Sequence, residues 1–528
     1  KEHEKMTDYA TVSVEEAALT GMASAVHAAV KPGTMAVTDQ HGKVLTWSEL
    51  NGKANQLANY FLSLGIGADD GVALLCGNRV EYTIVFMAAL RSGVRLTPIN
   101  WHLTSEEVSY IIDNCDARVF LADISFAETA SRALSMSERV ESSLSIGGDL
   151  AQFDAFDDVL EIFSLDNISN PTLGGGMLYT SGTTGRPKGV YRKERPPILP
   201  DYSERGYASG NEVALCTGPA YHAAPLLIDV LTPLISGASL VMMDRWDPEQ
   251  TLKLISQYKV THSHMVATMF HRLLRLDESV KQQYNLSSLK RITHGAAPCP
   301  VHVKHEMIDW FGPVLVEYYA ATEGGGGFLI DSHEWLTKPG SVGRPGPEFD
   351  NKIMDDEGND VPVGEIGTIY MRAPDSGRFE YYKDNSKTSS SYRGDYFTLG
   401  DMGYFDEDGY LFLTGRTAEL IISGGVNIYP QEVDSAMMQH PAVQDVCTIG
   451  VPNEEWGEEV KSVVQLKSDV AASEELAEEL IAFTRQHVAN YKSPKTVDFV
   501  DDLPRLPTGK IQRRIVREPY WAGHEKSI

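Results

Sequence analysis

Residues 71–99 read GVALLCGNRVEYTIVFMAALRSGVRLTPI. Gly71–Cys76 is a short apolar run and reads as a buried strand. Tyr82–Leu90 reads as a helix, with Gly93 just past its end. Val94–Ile99 reads as a second strand, closed by a turn around Asn100. Strand, helix and strand joined by short connections imply a parallel sheet with helices on its faces.

The same rhythm extends both ways. Upstream, Ala54, Leu57, Ala58, Phe61 and Leu64 recur at helical spacing before Gly65. Downstream, it continues through residues 105–122 and 249–293. Residues 224–243 are apolar but carry Asp229, Pro233, Ser236 and Gly237, so they read as a buried helix and strand and not as a membrane span. From about residue 340 turn signals crowd in, among them Asp356-Glu357-Gly358 and Asp408-Gly409, and this section reads as antiparallel hairpins. An αβ pattern resumes after Gly415-Arg416. The expected fold class is α/β. Residues 1–415 form a large N-terminal domain of parallel sheets flanked by helices, with a β-rich subdomain. Residues 416–418 form a hinge, and residues 419–528 a small α+β C-terminal domain.

Bulk properties narrow the function. At 528 residues the chain exceeds what one core usually supports. Its 46 Lys plus Arg against 73 Asp plus Glu give a net charge of −27. That excess disfavours general binding to nucleic acid or to anionic membranes. Any anionic ligand must then be held by local cations and backbone N–H groups. The five cysteines, Cys76, Cys115, Cys216, Cys299 and Cys447, are scattered and never paired as C-x-x-C. They read as buried thiols in a reducing compartment, so a cytoplasmic location is expected. The first residues, KEHEKMTDYA, are charged; no signal peptide is expected there, and Met6 is a candidate start.

Tyr179–Gly189, YTSGTTGRPKG, carries the chemistry. A strand at Met177–Tyr179 feeds a loop with Thr180, Ser181, Gly182, Thr183, Thr184 and Gly185, closed by Lys188. Glycines let backbone N–H groups turn toward an anion, hydroxyls add donors, and lysine adds charge. It is a phosphate cradle by composition, though not a P-loop of the Walker type.

The string closely resembles the signature loop of the acyl-CoA synthetase, adenylation-domain and luciferase superfamily. Four further segments resemble that family's motifs in order: EYYAATE at 317–323, FTLGDMGYFDEDGYLFLTGR at 397–416, SGGVNIYPQE at 423–432 and LPTGK at 506–510. The resemblance covers the chain from about residue 20. It implies ATP-dependent formation of an acyl-adenylate, then transfer of the acyl group to a thiol, usually that of coenzyme A. It also implies that the C-terminal domain is mobile.

Residue by residue, the resemblance assigns roles. Thr180–Lys188 would hold the β- and γ-phosphates. Thr322 would donate to the α-phosphate, and Glu323 would hold Mg²⁺, a hard cation suited to oxygen ligands. Tyr319 would stack on adenine, with Gly295, Ala296, Ala297 and Glu317 about the base. Asp401 would accept hydrogen bonds from the ribose hydroxyls, reinforced by Arg416. Lys510 would stabilise charge developing during attack on the α-phosphate. Gly424, Gly425 and Trp456 would line the coenzyme A path. Two positions depart from the usual pattern: Ala320 replaces a glycine, and Ala418 replaces the Asp or Lys on which the C-terminal domain pivots. Thr417 or Glu419 could then contribute to the pivot. Arg192, Lys193 and Arg195 are a further cationic cluster for an anionic ligand, such as a coenzyme A phosphate.

The segment PAYHAAP at 219–225 lacks the aspartate with which amino-acid-activating relatives pair the substrate amine. Only 18 residues follow Lys510, so free coenzyme A is the expected acceptor. His222, Ala223, Pro225, His264, Met265, Thr268, His294 and Gly295 are the expected acyl pocket. The small and apolar members among them suggest a medium-chain, long-chain, aryl or polycyclic acid. The chain is expected to be a monomer or homodimer. The competing readings are a luciferase-like oxygenase and a non-catalytic sensor of acyl groups or nucleotides; retention of Lys510, Glu323 and Asp401 argues against the sensor.

Overall fold

The computed structural model describes residues 7–522 other than 181–186, 298, 424–425, 454–455 and 507–508. The opening stretch folds as read. Strand Gly71–Leu75, helix Val80–Ser92 and strand Arg95–Pro98 follow one another, and the two strands pair in parallel. Every side chain of the helix is buried, because it packs against strands of two different sheets. The preceding helix, Trp47–Ser63, starts at a capping box: the Thr46 side chain accepts from the Glu49 N–H, and the Glu49 side chain accepts from the Thr46 N–H. Its Ala54, Leu57, Ala58 and Phe61 face the core, as their spacing requires.

Two large sheets dominate the described residues. One is parallel throughout, with strands Gly71–Leu75, Arg95–Pro98, Ala117–Asp123 and Ser142–Ile146 at its centre. The other runs Gly324–Asp331, Leu315–Ala321, Arg291–His294, His262–Met265, Val213–Cys216, Ser239–Met242, Met35–Asp39 and Val44–Thr46. Its inner six strands are parallel, and one antiparallel strand closes each edge. Residues 224–243 form helical turns over Pro225–Leu231 and Thr232–Ser236, then strand Ser239–Met242. Pro225–Leu231 is wound as a π-helix, a form often found at functional sites.

The hairpin-rich section is antiparallel. Strands Asn351–Met354, Gly367–Arg372, Asp401–Phe405 and Leu411–Arg416 belong to one sheet, with the Asp408-Gly409 turn between the last two. That sheet ends at Arg416, and a new one starts at Ile421–Ser423. The new sheet includes Val443–Asn453, Gly457–Leu466 and Thr496–Val500, and it is accompanied by helices Pro430–Met437, Glu474–Arg485 and Arg513–Trp521. The chain is thus an α/β protein with parallel sheets and a smaller C-terminal domain. The five cysteines are free; all but Cys299, which is half-buried, are buried. No helix among the described residues is long and apolar enough to cross a membrane.

Candidate active site

Adjacent parallel strands end at one edge of the large mixed sheet, and the candidate residues follow those ends. Gly295–Ala297 follow Arg291–His294, Thr322 and Glu323 follow Leu315–Ala321, Thr268 follows His262–Met265, and His222 follows Val213–Cys216. Open α/β sheets bind ligands outside the carboxyl ends of their strands. Ala296 sits there with φ 64°, a left-handed conformation costly for a residue with a Cβ. Gly295 packs so close to Tyr318 that a Cβ would lie 2.6 Å from its ring.

Asp401 is the centre of a connected group. It is buried on strand Asp401–Phe405 and takes a hydrogen bond of 2.7 Å from the Tyr319 hydroxyl on Oδ2. Arg416 Nε donates to Oδ1 at 2.8 Å from the neighbouring strand, where Asp401 and Arg416 are register partners. An ionised carboxylate has about four acceptor sites, so Asp401 keeps capacity for two more donors. Lys510, on the C-terminal domain, lies close enough to this group to feel the charges of Asp401 and Arg416. Its ammonium is pushed below the usual lysine range, first by burial and then by Arg416, with Asp401 and Glu419 acting against the shift. Gly509 packs directly on the Thr268 hydroxyl, and its φ of 82° is one that glycine adopts freely. Thr268 is therefore a seat for the lysine loop.

Glu323 is held from two sides. The Tyr381 hydroxyl donates to its Oε1 at 2.8 Å, and Arg192 Nη2 donates to the backbone carbonyls of Thr322 and Glu323 at 3.2 and 2.5 Å. Oε2 makes no hydrogen bond with the described residues. Lys188 is anchored on strand Lys188–Arg192 and pairs with Asp384. Thr180 ends the partner strand Leu178–Thr180. Ser181, Gly182, Thr183, Thr184 and Gly185, and likewise Gly424 and Gly425, lie outside the described residues. Trp456 is exposed on the C-terminal domain.

Strand alternation decides several side chains differently from the sequence reading. His264, Thr293 and Val316 are lateral partners and share a face, with His262, Arg291 and Tyr318 two residues along. Met265, His294, Glu317 and Tyr319 occupy the opposite face. The Glu317 carboxylate therefore points not toward a nucleotide but into the core, where Lys304 Nζ donates to it at 2.6 Å. Burial pushes the Glu317 carboxyl up, and Lys304 opposes this. Met265 belongs to the hydrophobic core between this sheet and its helices, not to a pocket. His294 is fully buried, 5.2 Å from Phe270 in an edge-on ring contact. Of the expected acyl residues, His264 is on the other face and bonds the Tyr318 hydroxyl at 3.1 Å. His222 lies three residues before the π-helix, with Ala223 half-buried and Pro225 buried. Burial lowers both His222 and His264 to about 4, so both are neutral near pH 7.

The cationic cluster after the phosphate loop is dispersed. Arg192 is committed to the Thr322–Glu323 backbone, Arg195 pairs with Asp69, and Lys193 is exposed. Sequence reasoning missed Tyr381 and Arg192 as supports for Glu323, since neither lies within a recognisable motif.

The AMP-binding enzyme family matches residues 25–382, and its C-terminal domain matches residues 432–510. The chain belongs to the AMP-binding enzyme family. This AMP-binding enzyme is 30% identical to the long-chain-fatty-acid–CoA ligase FadD13 of Mycobacterium tuberculosis, over 94% of the chain and 97% of that protein. It is 32% identical to a feruloyl-CoA synthase of an Amycolatopsis species, over 91% of the chain and 94% of that protein. Its fold superposes on the anthranilate CoA ligase AuaEII, solved with anthranoyl-AMP, with a TM-score of 0.85. That match spans 97% of this enzyme and 99% of AuaEII at 24% identity.

Proposed function

We propose that this enzyme is an AMP-forming carboxylic acid:coenzyme A ligase. It uses ATP to make an acyl-adenylate and pyrophosphate, then passes the acyl group to coenzyme A with release of AMP. The observation that carries this reading is the seating of the lysine loop on the large domain, where Gly509 packs on Thr268 at the strand ends that carry the candidate residues. A cation from the C-terminal domain is thereby brought near a carboxylate suited to ribose hydroxyls.

The residues divide the work as follows. Asp401 accepts from the ribose, and Arg416 and Tyr319 fix its orientation. Thr180, Lys188 and the intervening loop receive the β- and γ-phosphates. Lys188 exchanges its Asp384 partner for phosphate oxygen, which lowers the cost of keeping that ammonium ready. Thr322 donates to the α-phosphate. Lys510 stabilises the charge that gathers on the α-phosphate and the departing pyrophosphate as the acid's carboxylate attacks. Glu323, whose Oε2 bonds none of the described residues, suits Mg²⁺, which is commonly bound by one or two carboxylates plus substrate phosphates. When bound, the ion neutralises phosphate charge. Ala296, Ala297 and Gly295 border the base and the acyl carboxylate.

Residues 416–418 serve as the hinge between domains 1–415 and 419–528. Rotation there would withdraw Lys510 and bring Gly424, Gly425 and Trp456 to the thioester-forming site. Relatives named for long-chain fatty acids and for ferulate support an acid with a large apolar portion. A cytoplasmic monomer or homodimer fits the acidic surface and free thiols. The test is pyrophosphate release across acids from acetate through palmitate to aryl and steroid acids, with and without coenzyme A. Turnover on one class, requiring coenzyme A for repeated cycles, is expected. Folded protein that releases pyrophosphate with none of them overturns the reading.

A further inference from the structure

The loop that carries Lys510 is tied to itself and to one strand of the C-terminal domain. Arg505 and Ile511 face each other across an antiparallel bridge. The Leu506 N–H donates to the Lys510 carbonyl at 2.8 Å, and the Gly509 N–H donates to the Leu506 carbonyl at 2.7 Å. Gly509, at φ 82°, is the left-handed residue that such a hairpin loop needs. No backbone N–H among the described residues donates to the Gly509 carbonyl. That carbonyl belongs to the peptide unit joining Gly509 to Lys510, and glycine restrains the rotation of this unit less than any other residue. Arg505 supplies the missing bond: its Nη1 donates to the Gly509 carbonyl at 3.2 Å. Its Nη2 donates to Asp445 Oδ2 at 2.5 Å, and Asp445 Oδ1 accepts the Val446 N–H at 2.9 Å. Asp445 lies on strand Val443–Asn453, so a connected run of bonds leads from that strand to the backbone of Lys510.

Resting on the ligase reading, we propose that Arg505, held by Asp445, is a positioning residue for Lys510 and serves acyl-adenylate formation alone. The guanidinium is a rigid planar fork. Here it spans two acceptors on different parts of the domain, and so passes the rigidity of the strand to the peptide unit that aims the lysine. The Arg505 and Asp445 side chains are 20% and 19% exposed, so salt screens this pair less than a bridge on the open surface. Both Nη groups are committed, which makes Arg505 a residue that acts through Lys510 and not on ATP. Gly509 is thus held through its Cα by Thr268 of the large domain and through its carbonyl by Arg505. The long lysine side chain amplifies any rotation at this backbone, and a misplacement of about 1 Å can cost roughly 10²-fold in rate. Thioester formation, for which Lys510 is withdrawn, has no use for the brace.

The test follows the two half-reactions separately in single turnover, with whichever acid of the panel releases pyrophosphate fastest. Arg505→Met removes the donors; it should slow adenylation about 10- to 100-fold at saturating ATP, with the KM for ATP within about twofold of wild type. Thioester formation from a supplied acyl-adenylate should continue at the wild-type rate. Arg505→Lys keeps the charge without the fork and should also be slow. Asp445→Ala should slow adenylation too, and the double variant should be no slower than Arg505→Met, because the pair acts as one unit. Trypsin cleavage after Lys510, followed by mass spectrometry, reads the loop without turnover and should be several-fold faster in Arg505→Met. Wild-type adenylation by Arg505→Met overturns the proposal, as does a loss shared equally by both half-reactions, the mark of a general structural role. A fully active Arg505→Lys overturns it in favour of a bare charge. In a protein that releases no pyrophosphate the ligase reading fails by itself, and unchanged trypsin cleavage would then overturn the brace. If Arg505→Met does not fold, Arg505→Lys and Asp445→Ala carry the same comparisons.

Discussion

Glu317→Ala separates the two roles that can be assigned to Glu317. As a nucleotide contact it would matter to ATP binding; as the partner of Lys304 it matters to the fold. Lys304 is wholly buried and its Nζ lies 2.6 Å from Glu317 Oε2. At an effective dielectric near 20 the direct attraction is about 6 kcal/mol, most of it offset by desolvating both ions. What the substitution adds is a stranded ammonium, a loss of about 3–5 kcal/mol when a buried pair is broken from one side. The ring of Trp335, 4.6 Å from Nζ, stays in place and sets the expectation near the lower end, about 3 kcal/mol. At about 2–4 °C per kcal/mol, Tm should fall by roughly 6–12 °C. Thermal melts at fixed protein concentration measure this, alongside the KM for ATP in a pyrophosphate-release assay on the folded variant at low temperature. The double variant Glu317→Leu, Lys304→Met should recover most of the loss, because apolar replacements of both partners leave no ion unpaired. A Glu317→Ala protein that melts with the wild type but needs tenfold more ATP would refute the assignment of this carboxylate to the core.

Asp401→Ala should raise the KM for ATP by roughly 10- to 150-fold, since each charged hydrogen bond lost is worth about 1.5–3 kcal/mol; steady-state kinetics over ATP concentration checks it. Lys510→Ala should slow acyl-adenylate formation by about 10²–10³-fold, while thioester formation from a supplied acyl-adenylate continues; single-turnover assays of each half-reaction distinguish the two. The Lys510 ammonium is held below the usual lysine range, so adenylation should decline on the alkaline side as the charged form is lost. Lys510→Arg, charged throughout, should move that decline to higher pH in a pH–rate profile. Tyr381→Phe removes the hydroxyl that holds Glu323 Oε1, and the Mg²⁺ concentration for half-maximal rate should rise several-fold under titration.

The fold was legible because its signals are local. The run 71–99 contains a strand, a helix, a left-handed stop at Gly93 and a second strand, each specified within a few residues. The turns at Asp356-Glu357-Gly358 and Asp408-Gly409 announced the antiparallel section in the same way. Residues on motif loops are placed by the strand ends before them, because a strand end fixes where the next residue emerges. Thr322, Glu323 and Gly295 are of this kind.

What was not legible is which face of the sheet a side chain takes, and that follows from register. Met265 and His264 are neighbours in sequence, yet one is core and the other takes the opposite face and bonds the Tyr318 hydroxyl. A list of acyl-pocket candidates drawn from chain order merges two faces that the pleat separates. Asp229 reads in sequence as a charge interrupting an apolar run, and so only as an argument against a membrane span. Its carboxylate accepts the His264 backbone N–H at 2.7 Å, 35 positions away on a strand. Partner choice over such separations is set by sheet order, which no window of sequence contains. Arg192 shows the same limit from the other side. Three cations within four residues suggested one anionic site, but strand Lys188–Arg192 ends at the first of them and the chain bends at Lys193 and Glu194. Arg192 ends on the Thr322–Glu323 carbonyls and Arg195 on Asp69. In a chain with net charge −27, cations are scarce, and Lys188, Arg192 and Arg416 are engaged with carboxylates or carbonyls before any anion arrives. Anion binding here is therefore an exchange of partners. Its selectivity depends on how easily Asp384 releases Lys188 and Asp401 tolerates Lys510, and not on the number of positive residues.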